Sequence, residues 1–97
     1  MRVVVHMKWA GITPAQYDQM RETVKWEENT AEGGVFHIAS FDDKGLRATD
    51  IWESVDHLNA FIEKRLMPAV IKAGITTQPE AEFSTLHRVF ATALMQK

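Results

Sequence analysis

The stretch from Gly34 to Gly74 most constrains what this chain can fold into. Within it, VFHIASFDDKGLRATDIW places four turn formers, Asp42, Asp43, Lys44 and Gly45, between two runs of strand-forming residues. Val35 to Phe41 and Leu46 to Glu53 therefore read as an antiparallel hairpin. The second strand runs with no spacer into Ser54, a residue suited to cap a helix. In that helix Leu58, Phe61, Ile62, Leu66 and Val70 recur at helical spacing, Asp56 sits near the positive end, and Gly74 is placed to cap the other. Pro68 must kink or end it, because proline has no amide to bond one turn back.

The flanks repeat the theme. Arg2 to Trp9 alternates and is β-branched at Val3, Val4 and Val5, which predicts a strand that stops at Gly11. Thr13 as N-cap, Pro14 at the first helical position and Gln16 three residues after the cap form a capping box, with Ile12 and Tyr17 as a hydrophobic staple. The inner stripe of this helix is Tyr17, Met20 and Val24, and the helix frays into the polar run Glu28 to Glu32. Beyond the irregular ITTQPEAE, Phe83 to Phe90 reads as a last alternating strand, followed by an apolar tail, ATALM. The order β-α-β-β-α-β predicts a ferredoxin-like α+β fold over residues 1–97 as one domain: a four-stranded antiparallel sheet with two helices on one face.

That arrangement leaves a bare face. Val3, Val5, Met7 and Trp9 oppose Val4, while Val35, Ala39 and Phe41 oppose Phe36 and Ile38, so both sides of these strands are apolar. The expected cover is a second copy of the chain, making a homodimer through the open sheet face. Size argues the same way, since a chain of 97 residues buries only about two thirds of its unfolded surface.

Composition excludes several functions. A net charge of -2 gives no electrostatic footprint for nucleic acid or anionic lipid. LRATDIW lacks the basic-glycine-aromatic pattern of RNA-binding sheets. There are no cysteines, hence no disulfide framework, thiolate metal site or thiol nucleophile. MRVVVHMKW is too short and polar for a signal peptide, and no run has the apolar length of a membrane span. A cytoplasmic location is expected.

Two polar residues stand on the hairpin where a purely structural sheet favours apolar ones, His37 and Asp50. An aspartate in a covered sheet is costly unless paired, and a histidine is a partner that it can orient and tune as a base near neutral pH. The turn decides whether they meet. A two-residue turn at Asp43 and Lys44 sets His37 opposite Asp50, and one at Lys44 and Gly45 sets it opposite Trp52 with Asp50 one step away. A three-residue loop puts the two residues on opposite faces. Trp52 is read as a pocket wall, Trp9 and Trp26 as core or interface, and His57 as solvent-facing. His6 on strand one and His87 on strand four are further candidates for the same cavity. His6, His37 and His87 lie on separate strands with no metal-ligand spacing, so no metal is expected. Ser54 is accounted for as a cap, and Ser40 and Ser84 lack a strained elbow. The same residues also suit a non-catalytic ligand-binding or assembly module.

With these residues placed, the chain resembles the dimeric α/β-barrel superfamily and, within it, the antibiotic biosynthesis monooxygenase-like group. The likeness is carried by IWESVDHLNAFIEKRLMPAVIKAG, preceded by GGVFHIAS and followed by LHRVF. It implies a cofactor-independent monooxygenase that acts on a small aromatic or enolisable substrate whose anion reacts with oxygen, the protein supplying deprotonation, orientation and a dry cavity. His37 is then the base, Asp50 its orienting partner, Trp52 the tryptophan that closes the third strand, and His87, His6 and Phe61 contacts to a small apolar or aromatic ligand. Haem-degrading relatives carry a second tryptophan and an iron-ligating histidine at about the places of Phe61 and Ile71, which argues against that activity.

Overall fold

A computed structural model describes residues 1–95, and the elements follow the expected order. Strand β1 (Val3–Ala10), helix α1 (Pro14–Val24), β2 (Gly34–Asp42) and β3 (Gly45–Trp52) lead into α2 (Val55–Phe61). A π-helical turn (Ile62–Leu66) joins α2 to α3 (Met67–Lys72), followed by β4 (Glu80–Thr85) and the short α4 (Thr92–Met95). The four strands form one antiparallel sheet in the order β2-β3-β1-β4. Val5, Trp9, Leu46 and Trp52 project from one face of it; α1 and α3 pack on Trp9 and Leu46, and Leu58 of α2 packs on Val5 and Trp52. This is the ferredoxin-like α+β fold. No described helix is long and apolar enough to cross a membrane.

Local chemistry sets the boundaries. Thr13 Oγ1 accepts from the Gln16 amide at 3.1 Å and Gln16 Oε1 accepts from the Thr13 amide at 3.0 Å, so the capping box is formed in full. Such a cap is worth about 1 kcal/mol. The far end of α1 stops sharply at Lys25, which is left-handed (φ 58) and donates its amide to Arg21 O; no fraying run to Glu32 exists.

The hairpin resolves the turn. Asp42 pairs with Gly45, so Asp43 and Lys44 are the loop. Asp42 Oδ1 accepts from the amides of Lys44 and Gly45 at 2.9 and 3.1 Å, and Oδ2 accepts from Arg47 Nε at 2.6 Å. Gly45 has φ 143, and a Cβ there would stand 2.5 Å from Trp9 O. At the other end of β2 an extra residue, Val35, bulges out between the pairs Gly34–Trp52 and Phe36–Ile51.

Two boundaries differ from expectation. β4 ends at Thr85, and the ladder closes with Leu86 N donating to Arg2 O; its partner strand begins at Val3, so little chain remains to pair with a strand reaching Phe90. Pro68 does not end the second helical stretch. It occupies the first turn of α3, where a missing amide goes unnoticed, and the helix widens just before it, with Met67 N reaching back to Ile62 O.

Candidate functional site

Between the inner face of the sheet and the helices above it lies a partly open cavity of about 240 Å³. That lies just below the usual range for drug-sized ligands, which suits a small molecule. Its walls are largely aromatic and aliphatic, with Trp26, Trp52, Phe61 and Leu66 prominent. Besides Thr30, the polar side chains Tyr17, His37 and Asp50 line it together.

These three form a chain. The observed register sets His37 directly opposite Asp50, and His37 Nδ1 lies 2.6 Å from Asp50 Oδ1. Tyr17 Oη lies 2.7 Å from His37 Nε2, and Trp52 Nε1 donates to the second aspartate oxygen, Oδ2, at 3.1 Å. A carboxylate only accepts, which puts a proton on Nδ1; in the neutral imidazole Nε2 is then the acceptor of the tyrosine hydroxyl. Asp50 is 7% exposed and Trp52 5%, so this end of the chain is dry. No buried side-chain nitrogen or oxygen among the described residues lacks a partner.

Tyr17 is the residue that sequence reasoning missed. It was visible as the staple and the first residue of the inner stripe of α1, but its hydroxyl could be assigned only once α1 was laid over β2. The ring is fixed by Trp26 and Phe41, edge-on at centroid distances of 5.6 and 6.1 Å, and lies parallel to the His37 ring at 6.0 Å. Burial pushes its hydroxyl above the ordinary value of 10.0, and the negative charges of Glu27 and Asp50 push the same way against Arg21. Trp26, expected in the core or an interface, is a cavity wall set edge-on to His37 at 5.7 Å.

The segment between α1 and β2 closes one side, with Trp26, Thr30 and Ala31 on the cavity. Arg65 on the π turn holds it, Nη2 donating to Asn29 O at 2.6 Å and Val24 O at 3.1 Å while the guanidinium lies 5.5 Å from the centre of the Phe61 ring. Arg21 grips Glu27 through two bonds of 2.7 and 2.6 Å. Gly33 ends the segment with φ 81, where a Cβ would meet the His57 ring at 2.3 Å. His57 is therefore half-buried and bonded to Ser54 Oγ at 2.7 Å, not solvent-facing as expected.

Of the remaining candidates, Phe61 is on the cavity, tilted against Trp52 at 5.4 Å. His6 is not. Side chains alternate along β1, so with Val5 and Trp9 inward His6 faces the open side, exposed and 3.2 Å from Thr49 Oγ1. His87 lies beyond the end of β4, exposed, because that strand stops short of it. His6, His37 and His87 do not converge.

No protein-family model matches the chain, and no curated protein matches it. Solved structures do. A point mutant of SnoaB, a cofactor-independent oxygenase from Streptomyces nogalater, superposes with a TM-score of 0.62 at 14% identity over 91% of this chain and 94% of its own. A candidate antibiotic biosynthesis monooxygenase from Caulobacter crescentus CB15 gives 0.63 at 13% identity over 90% and 91%. The de novo designed protein Foldit4 gives 0.62 at 11% identity over 90% and 100%. The chain thus has the ferredoxin-like fold seen in the antibiotic biosynthesis monooxygenase group. A designed protein has it too, so activity must be argued from the site.

Proposed function

We propose that the protein binds a small aromatic or enolisable molecule in the cavity and removes a weakly acidic proton from it, with His37 as base and Asp50 orienting it. The reading is carried by the 2.6 Å contact between His37 and Asp50 at the wall of an apolar cavity. When His37 takes a proton, the buried Asp50 carboxylate pairs with the imidazolium, which favours transfer. Trp52 and Phe61 form the wall against which a planar ligand lies.

The likeness in fold to a cofactor-independent oxygenase supports a further step. The ligand anion would add to dioxygen through a carbon that bears hydrogen; the peroxide takes back a proton and loses water, leaving a carbonyl at that carbon. Oxygen uptake by the purified protein across a panel of hydroxylated aromatic compounds tests this. His37→Gln is expected to lower the rate by about 10²–10⁴-fold, and uptake that survives the substitution ends the assignment of His37 as base.

One observation favours the second reading, a non-catalytic binding module. Both nitrogens of His37 are already occupied within the protein, as in a structural network. Ligand binding with neither oxygen uptake nor proton release would select it.

The same proposal holds the protein to be a cytoplasmic homodimer joined through the open sheet face, where Ile38 is 54% exposed. Sedimentation is expected to give a dimer at micromolar concentration and a monomer for Ile38→Lys.

A further inference from the structure

We infer that Tyr17, not His37, is the residue that exchanges a proton with the ligand, passing it between the cavity and the His37–Asp50 pair. This rests on the proton-transfer reading above. His37 Nδ1 is bonded to Asp50 and Nε2 to Tyr17, so neither ring nitrogen is free to meet a ligand. A ligand must displace the tyrosine or act through it. Displacement is obstructed: Trp26 and Phe41 wedge the ring edge-on, and α1 is anchored one turn earlier by its capping box. Acting through it needs no movement. The hydroxyl gives its hydrogen to Nε2 and keeps lone pairs that can accept a hydrogen from a ligand O–H.

The step balances without a co-reactant. The ligand O–H bond breaks and its proton bonds to Tyr17 Oη, while the Tyr17 O–H bond breaks and its proton bonds to His37 Nε2. The products are a ligand anion, an unchanged neutral tyrosine and an imidazolium paired with Asp50. The surroundings oppose a standing tyrosinate, since burial, Glu27, Asp50 and Asp18 push its pKa up and only Arg21 pulls it down. Tyr17 therefore relays charge and does not store it.

The test uses 4-nitrophenol, whose phenolate is yellow and whose phenol is not, with binding followed separately by tryptophan quenching. Wild type is expected to bind the probe and shift it toward the phenolate. Tyr17→Phe, which keeps the ring, is expected to bind it with little loss and to abolish the shift, as is His37→Gln. A Tyr17→Phe protein that ionises the probe as wild type does overturns the relay, and the base reading stands if His37→Gln still fails. Wild type that binds the probe without ionising it overturns both. A second measurement needs no ligand: Tyr17 is the chain's only tyrosine, so tyrosinate absorbance reports it alone. Its titration midpoint should move in His37→Gln, and an unmoved midpoint also overturns the relay.

Discussion

Trp52 donates its indole N–H to Asp50 Oδ2 at 3.1 Å from a position two residues along the same strand and on the same face. The two oxygens of Asp50 are thus divided, Oδ1 to His37 and Oδ2 to Trp52. Removing the carboxylate strands the buried indole N–H of Trp52 and the solvent-reachable imidazole N–H of His37 at once, whereas removing the indole N–H leaves Asp50 with its stronger partner. Asp50→Ala is expected to cost about 1–3 kcal/mol in urea unfolding and Trp52→Phe about 1. Equal costs would show that the division of the two oxygens is not what stabilises the pair.

Gly33 is expected to resist substitution for two separable reasons. An alanine there suffers the left-handed φ of 81 and meets the His57 ring at 2.3 Å. Gly33→Ala should cost about 1–3 kcal/mol, and adding His57→Ala should restore part of that but not all. Complete restoration would mean that the backbone angle carries no strain.

Arg65 fastens the cavity's covering segment from a helix far away in sequence. Arg65→Lys keeps the charge but loses the Nη2 amino group that donates to both Val24 O and Asn29 O, together with the longer reach and planar head of the guanidinium. Hydrogen exchange should quicken at the amides of Glu28, Asn29 and Gly34, which bond within the segment, and stay slow in the β1–β3 ladder. Uniform quickening of both regions would instead point to a global loss of stability.

Two titrations bracket the pH range with opposite signs. The bonds from Lys44 N and Arg47 hold the Asp42 carboxyl below its ordinary 3.8, so its contribution is present above that value and is lost as pH falls through the lower folded one. The melting temperatures of wild type and Asp42→Asn should differ at pH 6 and converge near pH 2. Tyr17 is raised above 10.0, so its neutral form favours the fold below that value, and this contribution disappears as pH rises through the higher folded one. The tyrosinate midpoint should accordingly be higher in the native protein than in urea.

What the sequence disclosed followed the local rules. The capping box, the hairpin and the alternation of β1 each depend on residues close in the chain, and all appear in the structure. The meeting of His37 with Asp50 was left to the parity of one turn, which Asp42 settles through bonds to Lys44 and Gly45. His6 was misplaced although the alternation that turns it outward was legible. His87 was misplaced because the length of β4 depends on where its partner begins, a tertiary matter. Tyr17 eluded the reading for a similar reason, since nothing in α1 says which strand residue lies beneath its hydroxyl.

The π turn at Ile62–Leu66 has a geometric corollary. In an α-helix each residue advances about 100°, so Phe61 and Leu66 would point well apart; the wider turn lets both face the cavity. One residue of helix thus sets how far the wall reaches. Deleting a residue from Glu63 to Arg65 is expected to restore α-helical winding, withdraw Leu66 from the wall and alter the size of molecule admitted, with the sheet and its polar chain left in place.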